Sequence, residues 1–177
     1  FTYDDEATRK VYASTYMHNT VTKNKEDIRN MNGRLLKHES QPNAELIVTE
    51  NPGYDDLTHR RAIFLVDNKF FVVVDEAYGT AADVTVNLNF KLCADTSNGG
   101  LGRECCVVDE QGAHTVFGDD NNMIFKSFSE TSEGYAFSQG TCYYSDEIEQ
   151  RVQRKFYQLD VTKKADLAAR FITVILP

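Results

Sequence analysis

Apolar and polar residues alternate with a period of two along most of the chain. The clearest run is residues 83–92, where Val84, Val86, Leu88, Phe90 and Leu92 share one side and Thr85, Asn87, Asn89 and Lys91 the other. That pattern predicts a half-buried strand with one wet face. Residues 61–66 and 70–75 are apolar on both faces, which places them centrally in a sheet. Asp67-Asn68-Lys69 joins them. Asp and Asn tolerate positive φ, so the three segments read as a β-hairpin. Further strands are expected at 16–22, 34–37, 44–50, 104–109, 114–117, 122–128, 152–159 and 168–176. The only helical signal lies in 146–155, where Ile148 and Val152 are four apart, and its second half reads equally well as extended. Turn signals separate the segments: Asn32-Gly33, Asn51-Pro52-Gly53, Ser97-Asn98-Gly99-Gly100 and 118–122. Residues 98–102 read as a flexible loop rather than a domain linker. Short strands between frequent turns predict an all-β fold, an antiparallel β-sandwich of stacked sheets.

The 177 residues fit one domain, taken as 1–177. They carry 19 Lys+Arg and 27 Asp+Glu, a net charge of −8. That balance argues against generic nucleic-acid binding, which needs clustered cations. No apolar run approaches the ~20 residues of a membrane-spanning helix. The chain begins at Phe1 and ends at Pro177 after a strand-like run, which leads us to expect a piece of a longer protein.

Candidate chemistry is sparse. Cys93, Cys105, Cys106 and Cys142 do not form a metal pattern. Either all four are thiols, the simpler reading, or Cys142 is bridged to Cys93 or Cys106. His18 sits in an alternating segment with Tyr16 and Thr20 on its face; it is either a metal or proton-transfer group or a packed histidine. His59, Arg60 and Arg61 either hold an anionic sugar or pair with Asp55, Asp56, Asp75 or Glu76. His38 and His114 read as surface residues. Arg9, Lys10 and Tyr12 form a small basic-aromatic cluster, able to clamp a carboxylate and touch a sugar. Acidic residues at 4–6, 55–56 and 119–120 read as solvated turns, without the spacing of a calcium loop.

Several blocks carry a resemblance. Thr49-Glu50-Asn51-Pro52-Gly53-Tyr54, then Leu57-Thr58-His59-Arg60-Arg61-Ala62-Ile63-Phe64, Val66-Asp67-Asn68 and Phe71-Val72-Val73-Val74-Asp75-Glu76 resemble the C-terminal β-domain of the heparinase II/III family. The likeness is nearest to its heparinase III branch, the heparan-sulfate lyases. Met17-His18-Asn19-Thr20-Val21-Thr22 and Arg170-Phe171-Ile172-Thr173-Val174-Ile175 continue it in order. The weakest stretch is 94–144.

The resemblance implies a polysaccharide lyase built from an N-terminal helical toroid and this β-domain. It acts on an acidic polysaccharide, heparan sulfate or heparin, by β-elimination. The toroid and an upstream histidine supply the catalytic set. This chain is therefore expected to lack the toroid and the first β-strands, to hold no catalytic residue, and to be inactive alone. The resemblance maps a structural metal, zinc or calcium, onto His18. It maps substrate contacts onto Arg9 and Tyr12, although Val11 stands where a larger aromatic is expected. It assigns His59, Arg60 and Arg61 to structure. A periplasmic or secreted parent follows from the substrate class. The alternatives are a same-fold lyase for alginate or another uronate polymer, and a non-catalytic carbohydrate-binding sandwich.

Overall fold

The computed structural model describes residues 6–94, 104–118, 121–130, 134–144 and 152–177. After a short helix, α1 (Glu6–Ala13), and a 3-10 turn (Thr15–Met17) come twelve strands. They are β1 (Val21–Lys23), β2 (Arg34–Gln41), β3 (Ala44–Asn51), β4 (Thr58–Val66), β5 (Phe70–Tyr78) and β6 (Val84–Ala94), then β7 (Cys106–Asp109), β8 (Gly112–Thr115), β9 (Ile124–Ser129), β10 (Ala136–Tyr144), β11 (Val152–Lys163) and β12 (Ala169–Leu176). They form two sheets: a four-stranded one, ordered β1-β6-β11-β10, and an eight-stranded one, ordered β2-β3-β4-β5-β12-β9-β8-β7. Every pairing is antiparallel. The expected sandwich is therefore present, with β4 and β5 inside the larger sheet.

The core lies between the sheets. Val86, Leu88 and Phe90 of β6 meet Tyr157, Leu159 and Val161 of β11, and Phe171 faces them from β12. Tyr157 stacks between Phe90 (5.3 Å) and Phe137 (5.8 Å). Its hydroxyl meets Ser127 Oγ at 2.9 Å, and Ser127 continues to Thr173 at 2.8 Å. Burial pushes the Tyr157 phenol well above its ordinary range. The β4–β5 turn bears out its prediction: Val66 pairs with Phe70 across Asp67-Asn68-Lys69, and Asp67 and Asn68 have positive φ of 52° and 53°.

Two expectations need correction, and two elements were not predicted. Residues 16–22 are not one strand. Only Val21–Lys23 pairs with β6, because the Asn19 side chain takes the place of a backbone ladder. Its Oδ1 accepts from Lys91 N (2.6 Å) and its Nδ2 donates to Lys91 O (3.3 Å). The outer face of β6 is not wet. Asn87, Asn89 and Lys91 are buried, and the Tyr16 ring lies 4.3 Å from Lys91 Nζ. Residues 6–13 form α1, which has no buried residue and hence no apolar stripe to betray it. Residues 136–144 form β10, whose Gly140 and polar positions hide the alternation. A Cβ at Gly140 would meet the Phe156 ring at 2.9 Å.

The second half of 146–155 is extended as part of β11, while 145–151, the loop at 98–102 and the acidic residues 4, 5, 119 and 120 lie outside the described residues. Asp55 and Asp56 are engaged by Arg29 (2.9 Å) and Lys23 (2.7 Å).

The larger sheet has two unlike faces. Asp75, Phe171 and Thr173 point inward and are buried. By register, Leu46, Val48, Phe64, Val72, Val74 and Ile172 point outward with Phe128, which is 42% exposed. The result is a broad apolar outer face. At one end it is edged by charges: Arg34 and Arg60 meet Glu50, and Arg170 joins Glu76 (2.5 Å) and Glu130 (2.7 Å).

Lys163 holds the β5–β6 connection against β11. It is fully buried, and its Nζ donates to the carbonyls of Gly79 (2.9 Å), Ala81 (2.7 Å) and Lys164 (3.2 Å). Gly79 must be glycine. Its φ is 130°, and a Cβ there would meet Asp56 O at 2.4 Å. Replacing Lys163 by Met keeps the volume and strips three carbonyls of their donor. It is expected to lower unfolding free energy by about 1–3 kcal/mol, measured by urea denaturation.

Candidate functional site

The charged heart of the molecule is Asp75. Its side chain is completely buried on the inner face of β5. Register places it opposite Arg61, and His59 is one ladder step away. Arg61 grips both oxygens, Nε to Oδ1 at 2.7 Å and Nη2 to Oδ2 at 3.2 Å. His59 Nε2 reaches Oδ1 at 2.6 Å. Burial alone would raise the Asp75 pKa. The His59 hydrogen bond and the Arg61 and His59 charges outweigh it, holding the carboxyl below its ordinary value.

This pairing fixes the histidine. A carboxylate only accepts, so Nε2 carries the proton that lies between it and Asp75. Nδ1 is turned towards Thr20 Oγ1, 3.4 Å away. Arg61 Nη1 also donates to Asn19 O at 2.8 Å. The segment carrying His18 is therefore tied to the Asp75 cluster on one side. On the other, Tyr16 is held by Lys91, whose ammonium lies 4.3 Å from the rings of both Tyr16 and Phe156. Burial pushes that ammonium down to about 8.

Two clefts open beside these residues. One of about 480 Å³ is lined by residues that include His18, Thr20, Asp27, Tyr54 and His59. The other, about 430 Å³, is lined by residues that include Gly33, Arg34, Glu50 and Arg61. They share Thr20, Asn51 and His59. Asn51 Oδ1 is buried there without a hydrogen-bond partner. Chemically, the joined clefts offer one oriented imidazole, a second exposed imidazole and two guanidinium groups. That set suits an acidic, hydroxyl-rich ligand.

The structure brings His18 to the same cleft as His59. Arg9 and Tyr12 lie on α1, Arg9 exposed and Tyr12 half-buried; Ala13 is the residue of α1 that lines the cleft. His38 is exposed on β2 beside Glu45 (3.2 Å), whereas His114 on β8 is half-buried. Arg60 and Arg61 pair with acids as one reading expected, and Glu50 is a partner that the sequence did not flag. Its signal was faint: Glu50 lies opposite Arg60 only once the β3–β4 register is known. For a metal, the donors present do not make a full set. Asp27 already accepts from Thr15 N (2.6 Å), and His59 already donates to Asp75 through Nε2. Among the described residues no group of three His, Cys, Asp or Glu is spaced to hold an ion.

Comparison with known proteins decides the family. The model of the heparinase II/III-like C-terminal domain matches residues 1–170. The chain belongs to the heparinase II/III-like family. A heparin-sulfate lyase of Bacteroides thetaiotaomicron is 41% identical over 160 residues, 90% of this chain and 22% of that protein. A heparin-sulfate lyase of Bacteroides stercoris is 30% identical over 169 residues, covering 96% and 24%. The crystal structure of heparinase III superposes with a TM-score of 0.86 at 38% identity, covering all of this chain and 26% of that one. This heparinase II/III-like chain thus spans about a quarter of the length of its relatives.

Two outcomes follow. Asp75→Asn leaves Arg61 and His59 facing a neutral amide, and is expected to reduce stability by about 3–5 kcal/mol in urea. Glu50 accepts from Tyr78 Oη (2.6 Å) as well as from Arg34 and Arg60, and these bonds hold its carboxyl at about 2. A folded pKa below the unfolded one gives stability that is complete above the ordinary carboxylate range and is lost as pH falls through about 2. Urea midpoints on the acid limb should decline accordingly, and less steeply in Glu50→Gln.

Proposed function

We propose that this chain is the C-terminal β-sandwich portion of a polysaccharide lyase that cleaves heparan sulfate or heparin-like glycosaminoglycan by β-elimination at uronic acid. The observation that carries this reading is the 41% identity to a heparin-sulfate lyase across 90% of the chain. β-Elimination removes the C5 proton of a uronic acid and expels the 4-O-linked sugar. The proton is weakly acidic while the neighbouring carboxylate is charged, so donors must neutralise it and stabilise the enolate-like intermediate. A basic group then takes the proton and an acid returns one to the leaving oxygen. Arg34, Arg61 and His18 supply donors to one wall of such a cleft, while His59 spends its Nε2 proton on Asp75. Arg9 and Tyr12 approach substrate from α1. The proton-transfer set belongs to the part of the longer protein outside this chain, and the fragment alone is inactive.

The apolar outer face of the larger sheet supports the same reading. A surface of that kind marks an interface, and the relatives are about four times longer than this chain. The remainder of the same polypeptide, including a helical toroid, is its occupant. The parent works in the periplasm or outside the cell, where the polymer is met. His18 lends one imidazole to a structural divalent metal whose other ligands lie outside this chain. A net charge of −8 keeps a less sulfated uronate polymer such as alginate as the second reading.

The deciding assay follows the ultraviolet absorbance of the unsaturated uronate product. The longer protein is expected to produce it from heparan sulfate and not from alginate; the reverse would move the substrate assignment, and activity in the 177-residue chain would refute the missing catalytic set. The isolated chain is expected to bind a hydrophobic dye strongly and to self-associate, whereas a monodisperse, dye-silent chain counts against the docking face. Calorimetric titration with zinc or calcium should show weak binding or none, since a single imidazole cannot hold either ion tightly.

A further inference from the structure

Cys93 and Cys106 meet across the two sheets. Cys93 is near the end of β6 in the smaller sheet, and Cys106 opens β7, the edge strand of the larger one. Their sulfurs are 2.9 Å apart, inside van der Waals contact. The ladder between β6 and β11 slips between Arg154 and Phe156, opposite the stretch from Lys91 to Ala94 that holds Cys93, and Cys93 packs there against the core. Cys106 is 1% exposed. Cys142, the partner in the alternative bridged reading, lies elsewhere. It pairs in register with Arg154 and acts electrostatically on Lys91 and Tyr16, on the outer side of the smaller sheet. A sulfur–sulfur bond is about 2.05 Å long, so joining Cys93 to Cys106 requires less than about 1 Å of movement.

We propose that Cys93 and Cys106 are joined as a disulfide when the protein matures in an oxidising compartment. The bond forms by exchange with the disulfide of a thiol–disulfide oxidoreductase. Cys93, the more accessible sulfur, attacks as thiolate and forms a mixed disulfide, releasing one thiolate of the oxidant. The Cys106 thiolate then attacks Cys93 Sγ and expels the oxidant's second sulfur. Two protein thiols are oxidised, one oxidant disulfide is reduced to a dithiol, and the two protons pass to the released thiolates. The closed loop staples the smaller sheet to the outermost strand of the larger one. Edge strand β7 has only four residues, so the staple acts where the sheet is shortest. It also limits the unfolded chain. In the native thiol form the hydrogen bond to Cys93 and burial hold the Cys106 thiol far above its ordinary value. Exchange is therefore fastest in the partly folded chain.

The test uses the full-length protein from an oxidising compartment, alkylated while denatured and digested without reductant. Peptide 92–103 is expected to be linked to peptide 104–126, two hydrogens lighter than their sum. The linked pair should persist in Cys105→Ser and vanish in Cys93→Ser and Cys106→Ser. Reduction should lower Tm by about 5–10 °C in the unsubstituted protein and leave those two variants unmoved. Alkylation of Cys93 and Cys106 in the unsubstituted protein, or a bond from either to Cys105 or Cys142, overturns the proposal. If the serine variants fail to fold, fragmentation of the linked peptides from the unsubstituted protein decides between Cys105 and Cys106 by itself. The result is independent of the lyase reading, because a bridged but inactive protein and an active protein with thiols are separate outcomes.

Discussion

One buried carboxylate organises this molecule. The Asp75 side chain is shut off from bulk solvent, so its charge is tolerable because Arg61 and His59 are held against it. The same two partners reach outward. Arg61 takes the Asn19 carbonyl, and His59 turns its second nitrogen to Thr20. A requirement internal to the larger sheet thereby places the segment that carries His18. Cleft and core are coupled through a few charge-assisted hydrogen bonds.

A second anchor acts from the smaller sheet. Lys91 spends its ammonium on two aromatic rings and its backbone on the Asn19 amide. Residues 16–20 run from the 3-10 turn into irregular chain, yet at least three of the five are committed to neighbours: Tyr16 to Lys91, Asn19 to Lys91 and Arg61, Thr20 to His59 and to Asn89 N through its carbonyl. A segment tied at this many points presents the exposed His18 imidazole from a defined place.

Much of this was legible in the sequence, and the limits have physical causes. Alternation at 83–92 located β6, and the Asp67-Asn68 pair located the β4–β5 hairpin turn, because both signals are local. The wet face assigned to Asn87, Asn89 and Lys91 failed because its partners are distant in sequence: Tyr16 lies over Lys91, and Thr22 and the Lys25 N–H meet Asn87. Helix α1 buries nothing, and β10 carries Gly140 to make room for Phe156, so neither displays a period. His18, Arg60 and Arg61 were recognisable as residues, but their partners depend on strand register. The resemblance to the heparinase II/III family held, since its blocks include the residues that build the Asp75 cluster.

The two sheets are unequal, eight strands against four. Strands β2 and β3 therefore extend past the sandwich as a wing, and all eight residues of β2 are exposed. An open edge of that kind invites a strand from another molecule to add on. Here the edge is disarmed chemically. Lys37 and Glu39 pair along it at 3.0 Å, Arg34 adds charge, and an irregularity between Leu35 and Lys37 bends the strand. The wing is in consequence guarded against ribbon-like growth, and its stickiness is confined to its faces rather than its rim.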